Sequence, residues 1–269
     1  MKHVILFVGS LQSGKTTSAA AIYGYHLTQL GLIPNCSFDE NGRMSIIYDK
    51  NTNTGIYLDI DTEDQQIIDF MKQNFWGHVR HFSFATQLKE SIINLFSIDR
   101  KALYGSNDDK NKETHLLWDN VLPMLSPERY DQLKHNSGKK MTGRQIMQIF
   151  GTDICRAMDK SCHIRSAFTA AKEANPDIAI FPDGRFEDEF EYFENLKKSQ
   201  SEYKVWLIKL KRMKIKSDDP MEQGAAGIKD SRYDLVINNE NMTTLDKNEK
   251  LIDFLTSRGV LLSYNIERA

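Results

Sequence analysis

The residues with the types and spacing to do chemistry begin at Val8. In "VGSLQSGKTT" (Val8 to Thr17), Gly9 and Gly14 are separated by four residues, and Lys15 and Thr16 follow at once, so G-x-x-x-x-G-K-[ST] is complete. The two glycines let the backbone turn tightly, and successive N–H groups can then point at phosphate oxygens at a helix N-terminus. Lys15 would bring a point charge to the β and γ phosphates, and the Thr16 hydroxyl would coordinate Mg²⁺. The expected ligand is a nucleoside triphosphate.

A triphosphate site does not by itself separate a switch, a motor and a kinase, so a second site is needed. The best candidate is "IFPDGRFEDE" (Ile180 to Glu189). Asp183 falls at the C-terminal end of a predicted buried strand, where ligands of open α/β sheets gather, and Arg185 follows two residues later. An Asp there can hold a metal-bound water or a substrate hydroxyl; an Arg can grip a phosphate through two parallel hydrogen bonds. The plain alternative is an Asp-Gly turn with a solvated Arg. Glu187, Asp188 and Glu189 read as a solvated first helical turn that complements the helix dipole. Lys89, Arg144, Arg156 and Arg212 are the remaining cationic candidates, although an isolated charge of this kind is more often merely exposed. Arg144 and Arg156 share a face only approximately on a straight helix. The seven histidines show no H-x-x-x-H or H-E-x-x-H spacing, so no protein-bound zinc is expected.

These residues need a frame, and the pattern supplies one. "KHVILFV" (Lys2 to Val8) is a short β-branched and aromatic run of the buried parallel-strand type, and Ala20, Tyr23, Leu27 and Leu30 then recur at helical spacing up to Gly31. Strand, glycine loop and helix are the context the motif requires. "VRHFSF", "DIAIFPDGR", "YKVWLIKL" and "YDLVIN" are four further strand candidates, with helices predicted over "ATQLKESIINLF", "TGRQIMQIFGTDICRAM", "EDEFEYFENLKK" and "TTLDKNEKLIDFLTSRG". Five parallel-type strands alternating with helices predict a doubly wound α/β domain over residues 1–269. Asn41-Gly42 and Asn53-Thr54-Gly55 mark turns of an inserted β-meander at about 36–60, and "GSNDDKNKE" reads as a mobile loop.

Composition sets outer bounds. The 269 residues carry 35 Lys+Arg and 37 Asp+Glu, a formal net charge of −2, which offers no basic field for a nucleic-acid polymer. A local patch, "KLKRMKIK", reads better as a strand edge running into a solvated segment. Three cysteines without a C-x-x-C pair fit reduced thiols in a cytoplasmic protein. The apolar run at the start is too short to cross a bilayer and carries no cleavage-site pattern, so neither signal peptide nor membrane span is expected.

Taken in order, "VGSLQSGKTT", "FSFATQLKESIINLFSIDRKALYG", "TGRQIMQIFGTDICRAM", "FPDGRFEDEFEYF" and "YDLVINNENMTTLDKNEKLIDFL" resemble the bacteriophage deoxynucleoside monophosphate kinases, within the wider nucleoside monophosphate kinase fold. The resemblance touches most of the chain outside Cys36 to Gln73 and Asn107 to Lys140. It implies a P-loop kinase with a five-stranded parallel sheet, a β-hairpin insertion, a helical acceptor-binding insertion at about 85–160 and a lid at about 211–232. The implied reaction is phosphorylation of a deoxynucleoside 5′-monophosphate by ATP with Mg²⁺, in a host cytoplasm if the chain is of phage origin. Carried over by position, Gly9, Gln12, Ser13, Gly14, Lys15, Thr16 and Thr17 would form the ATP loop. Phe84, Ala85 and Lys89 would line the monophosphate side. Arg144, Gln148, Asp183 and Arg185 would hold the acceptor, and Arg212 would open the lid. Lys15, Arg144, Asp183, Arg185 and Arg212 are thus the expected catalytic set. The lid departs from the family in carrying Gln223-Gly224 where many relatives have Ser-Glu. Rival readings are another P-loop small-molecule kinase of the dephospho-coenzyme A or shikimate type, a non-catalytic nucleotide switch, and a DNA-binding ATPase. The meander could be a homodimer contact, part of the base pocket or a surface decoration.

Overall fold

The computed structural model describes residues 2–10, 12–39, 42–49, 54–62, 64–199, 202–212 and 227–262. In chain order the strands are β1 (His3–Val8), β2 (Cys36–Phe38), β3 (Met44–Asp49), β4 (Thr54–Tyr57), β5 (Val79–His81), β6 (Glu113–Leu117), β7 (Lys140–Thr142), β8 (Ile178–Gly184), β9 (Lys204–Lys211) and β10 (Leu235–Asn238). Two compact units emerge, the first made of Met1–Ser83 with Phe168–Ala269, the second of Phe84–Ala167.

The first unit is built on a five-stranded sheet ordered β10-β9-β1-β8-β5, with every neighbouring pair parallel. The strands at the centre of this sheet read as apolar runs, because a parallel sheet covered on both faces buries both sets of alternating side chains, while "VRHFSF" at the β5 edge reads as an alternating strand. β1 shows this best: all six of its residues are buried. Ile5 and Phe7 join a core with Ala19, Ile22, Tyr23 and Leu27 of the helix Lys15–Gln29 and Leu251, Ile252 and Leu255 of the helix Thr244–Ser257. On β8, Phe181 belongs to an aromatic cluster with Phe193 at 4.8 Å, Phe82 at 5.7 Å and Phe168 at 6.4 Å between ring centres. Phe193 comes from the helix Glu187–Lys198. Leu30 departs from the predicted apolar face: it is the C-cap of the first helix and is exposed.

Two strand details differ from the sequence reading and matter for the site. β5 stops at His81, and Phe84 starts the helix Phe84–Phe96 rather than ending a strand. Between the pairs Leu6↔Phe181 and Val8↔Gly184 the register slips, so Pro182 and Asp183 on β8 oppose Phe7 alone. Pro182 has no N–H to offer the ladder and the extra residue bends the strand, the usual effect of a bulge. A separate antiparallel sheet, β2-β3-β4, belongs to the same unit.

The second unit packs Ile92, Ile98, Leu103, Trp118, Leu122, Met141, Ile146 and Ile149 into its own core. Within this unit β6 and β7, neither of them among the expected strands, pair antiparallel. The "GSNDDKNKE" stretch is ordered into the short helix Asn107–Lys110, because Ser106 and Asp109 satisfy each other's backbone N–H groups as a capping box. The segment read as one regular helix is α-helical over Gly143–Gln148 and π-helical over Ile149–Arg156. Gly151, a poor helix former, lies in the wide turn and its carbonyl meets His163 Nε2 at 3.1 Å.

Candidate functional site

The site grows from the end of β1. Gly9 donates its N–H to the Gly184 carbonyl at 3.4 Å, which ties the loop root to β8. A Cβ on Gly9 would lie 2.5 Å from the Leu210 carbonyl oxygen, so only glycine fits between β9 and the loop. Gly14 is the N-cap of the helix Lys15–Gln29 with φ 88°, in the left-handed region, and a Cβ there would also stand 2.9 Å from Lys247 Nζ. Lys15 is buried and donates from Nζ to the carbonyls of Gly9 and Ser10, both at 2.7 Å. The loop therefore wraps its own lysine, and the N–H groups at the head of a four-turn helix face outward with no side-chain cap.

Those N–H groups open on a cleft of about 480 Å³. Gln12, Ser13, Gly14, Lys15, Thr16 and Thr17 form one wall, and Pro182, Asp183 and Arg185 from the β8 bulge and the turn after it form another. Arg212, just beyond β9, and residues from the segment after β10 complete it, including Asn239, Thr243 and Lys247. All of these come from the C-terminal ends of parallel strands, where an open α/β sheet gathers ligands. Asp183 accepts a hydrogen bond on Oδ2 from Ser83 Oγ at 2.7 Å. Arg212 donates to the Gln12 carbonyl at 3.2 Å. Of the residues singled out in the sequence, Gln12 to Thr17, Asp183, Arg185 and Arg212 thus share one cleft, with Gly9 at its root.

The other expected site residues belong to the second unit. Phe84 is buried at the start of its first helix, where Ala85 and Lys89 are half-buried. Lys89 Nζ lies 4.2 Å over the Tyr104 ring. Arg144 is exposed and donates to Asn107 Oδ1 at 2.9 Å and Asn111 Oδ1 at 3.2 Å, while Gln148 is exposed on the same short helix. Arg156 ends the π-helical turn. Residues 213–226, which hold the departing Gln223-Gly224 of the expected lid, lie outside the described residues.

Three residues of the cleft and its frame escaped the sequence reading. Asn239 donates from Nδ2 to the Ser13 carbonyl at 2.9 Å, and Lys247 from Nζ to the Gly14 carbonyl at 3.1 Å. The only signal for Asn239 was its place just past a parallel strand; Lys247 looks like any helical surface lysine. Glu189 overturns the reading of "EDE" as a solvated turn, since it is 4% exposed. Its Oε2 accepts the backbone N–H groups of Arg185 at 2.7 Å and Phe186 at 2.9 Å, so the carboxylate is drawn inward to cap the turn carrying Arg185.

Burial pushes the Glu189 carboxyl up to about 7, although both N–H groups favour its charged form. An acid with a raised folded value contributes stability below its unfolded value, about 4.5, and loses that contribution as pH rises to about 7. Glu189→Gln keeps an oxygen acceptor and carries no charge. Urea denaturation at about pH 5 and about pH 7.5 should show the wild type losing up to about 3 kcal/mol from this group and the variant losing little. Equal losses in both proteins would assign the titration to another group.

Magnesium and a nucleoside triphosphate can be tested against this donor set. Among the described residues no group of three or more His, Cys, Asp or Glu side chains is placed to hold a metal ion. An ion here would need oxygen from a ligand phosphate beside the Thr16 hydroxyl, which is the arrangement the loop motif uses. Lys15, Arg185, Arg212 and Lys247 outnumber Asp183 and Glu240 along the walls, so the cleft suits an anion. No helix among the described residues is long and apolar enough to cross a membrane. No family model matches the chain, and no curated protein matches it significantly.

Proposed function

We propose that this protein is a P-loop phosphotransferase, a deoxynucleoside monophosphate kinase that moves the γ-phosphoryl group of ATP to a dNMP to give dNDP and ADP. The observation that carries the reading is the joining of the Gly9-to-Thr17 loop with Asp183 and Arg185 in one cleft at the strand ends. The resemblance of five ordered segments to the phage kinases selects the acceptor.

Phosphoryl transfer asks little covalent help from protein: the oxygens must be held in line and the spreading charge stabilised. The loop N–H groups and Lys15 would bind the β and γ phosphates, releasing the lysine from the carbonyls of Gly9 and Ser10. Mg²⁺, held by Thr16 and the polyphosphate, would neutralise part of the charge on the transferred group. Arg185, fixed through its backbone by Glu189, would steady the acceptor phosphate. Asp183, oriented by Ser83, would accept a hydrogen bond from the acceptor or from metal-bound water. Arg212, on the cleft wall, would add a cation to the phosphates, and by the resemblance Arg144 would be a further acceptor-side cation. Phe84, Ala85, Lys89 and Gln148 are assigned to the monophosphate side by the resemblance alone.

The test is ADP release, measured by a coupled assay with ATP, Mg²⁺ and each common deoxy- and ribonucleoside monophosphate in turn. The expected result is acceptor-dependent release that is strongest for particular dNMPs. Tight ATP binding with no stimulation by any monophosphate would overturn the nucleoside monophosphate kinase reading and favour another acceptor or a nucleotide switch.

A further inference from the structure

Lys247 sits where a lysine is costly. It is 3% exposed and lies in the first turn of the helix Thr244–Ser257, where the positive end of the helix dipole disfavours a cation. Arg212 lies close enough to add to that disfavour, and the two causes, burial first, draw the ammonium down to about 8. Buried cations are normally paired with a carboxylate. Among the described residues Lys247 has no such partner. Its bond is to the Gly14 carbonyl, an acceptor already taken by the Ser18 N–H at 3.0 Å. An ammonium has three donors to place. The helix itself does not need this residue, because Thr243 and Asp246 already form its capping box.

What makes the placement intelligible is the cleft. Lys247 is on its wall, beside the head of the helix Lys15–Gln29, and its own helix also begins there, with Thr243 and Thr244 lining the space. The other charged groups of the cleft are Lys15, Asp183, Arg185, Arg212 and Glu240. Two helix N-termini and a buried cation converge, and each is stabilised by negative charge.

We infer that Lys247 is a second polyphosphate-binding cation, resting on the Gly14 carbonyl in the free protein and turning to the phosphates of a bound nucleotide. The inference rests on the nucleotide reading of the cleft. It adds that the last helix, and not the glycine loop alone, supplies charge to the ligand. Lys15 rests on loop carbonyls in the same way, so binding would release both lysines from backbone oxygens to phosphate oxygens.

The experiment is calorimetric titration of the full chain with inorganic tripolyphosphate, ADP and adenosine, at constant Mg²⁺, for wild type, Lys15→Ala, Lys247→Met, Lys247→Gln and Lys247→Arg. A charge-assisted contact predicts that Lys247→Met binds tripolyphosphate and ADP at least ~10-fold more weakly while adenosine changes by less than about 3-fold. Lys247→Arg, which keeps the charge, should retain most of the affinity. Lys247→Gln keeps a hydrogen-bond donor for Gly14 without charge, and should behave as Lys247→Met does; it replaces that variant if the latter lacks a cooperative melt. Unchanged tripolyphosphate affinity in the uncharged variants overturns the inference. So does parallel weakening of all three ligands, which is what a mere brace on Gly14 would produce. If Lys15→Ala also binds tripolyphosphate and ADP as wild type does, the nucleotide reading itself has failed; if Lys15→Ala weakens them and Lys247→Met does not, only the role of Lys247 is lost.

Discussion

Lys15→Ala should lower kcat/KM for phosphoryl transfer at least ~10³-fold, about 4 kcal/mol of transition-state stabilisation, while the protein remains folded. The size follows from where the ammonium is held. Its Nζ is already within 2.7 Å of two loop carbonyls, so the loop is shaped around the cation. Moving from there to phosphate needs a change of partner but no rebuilding of the loop. Alanine removes the only charge the loop itself contributes, leaving N–H dipoles to face the charge that develops on the transferred group. Lys15→Arg should not rescue, because the site is 8% exposed and a planar guanidinium cannot take the place of a compact ammonium there. Steady-state kinetics on variants with wild-type circular dichroism checks this. Activity within about tenfold of wild type would mean that the loop is not the donor site.

Phe181→Ala should be the most destabilising single truncation near the site, at about 3–5 kcal/mol by urea denaturation. Phe181 is fully buried in a strand between β1 and β5 and packs against the rings of Phe82, Phe168 and Phe193, the last at 4.8 Å. Those rings come from distant parts of the chain, so no single segment can relax to fill the void. The loss also reaches the cleft, because Pro182 and Asp183 follow directly and the bulge they form rests on this packing. Activity should therefore fall at denaturant concentrations below the global transition. A loss under about 1 kcal/mol would show that the aromatic cluster is less tightly packed than its geometry indicates.

Much of the frame around this site could be read from local pattern. The spacing of Gly9, Gly14, Lys15 and Thr16, the apolar run before it and the periodic helix after it are properties of fewer than thirty consecutive residues, and each of the other four strands of the parallel sheet is likewise a local pattern. Local signals misled where a neighbour from elsewhere supplied the deciding contact. Glu189 looks like a solvated first-turn acid until the turn at Arg185 and Phe186 presents two N–H groups to it. β6 and β7 are too short and polar to be seen singly, and become strands only by pairing.

Sequence alone determined that a glycine loop carrying Lys15 and Thr16 would stand between a buried strand and a helix, because turn chemistry and 3.6-residue periodicity act over neighbouring positions. Tertiary structure decided the order β10-β9-β1-β8-β5, which sets the loop between the ends of β8 and β9 and so brings Asp183 and Arg212 to it. It also brought Asn239 and Lys247 onto loop carbonyls from 226 and 233 residues away. The physical reason is that strand order is chosen by burying both faces of the sheet at once, a condition on the whole chain, and the side chains that meet at the strand ends are a consequence of that choice.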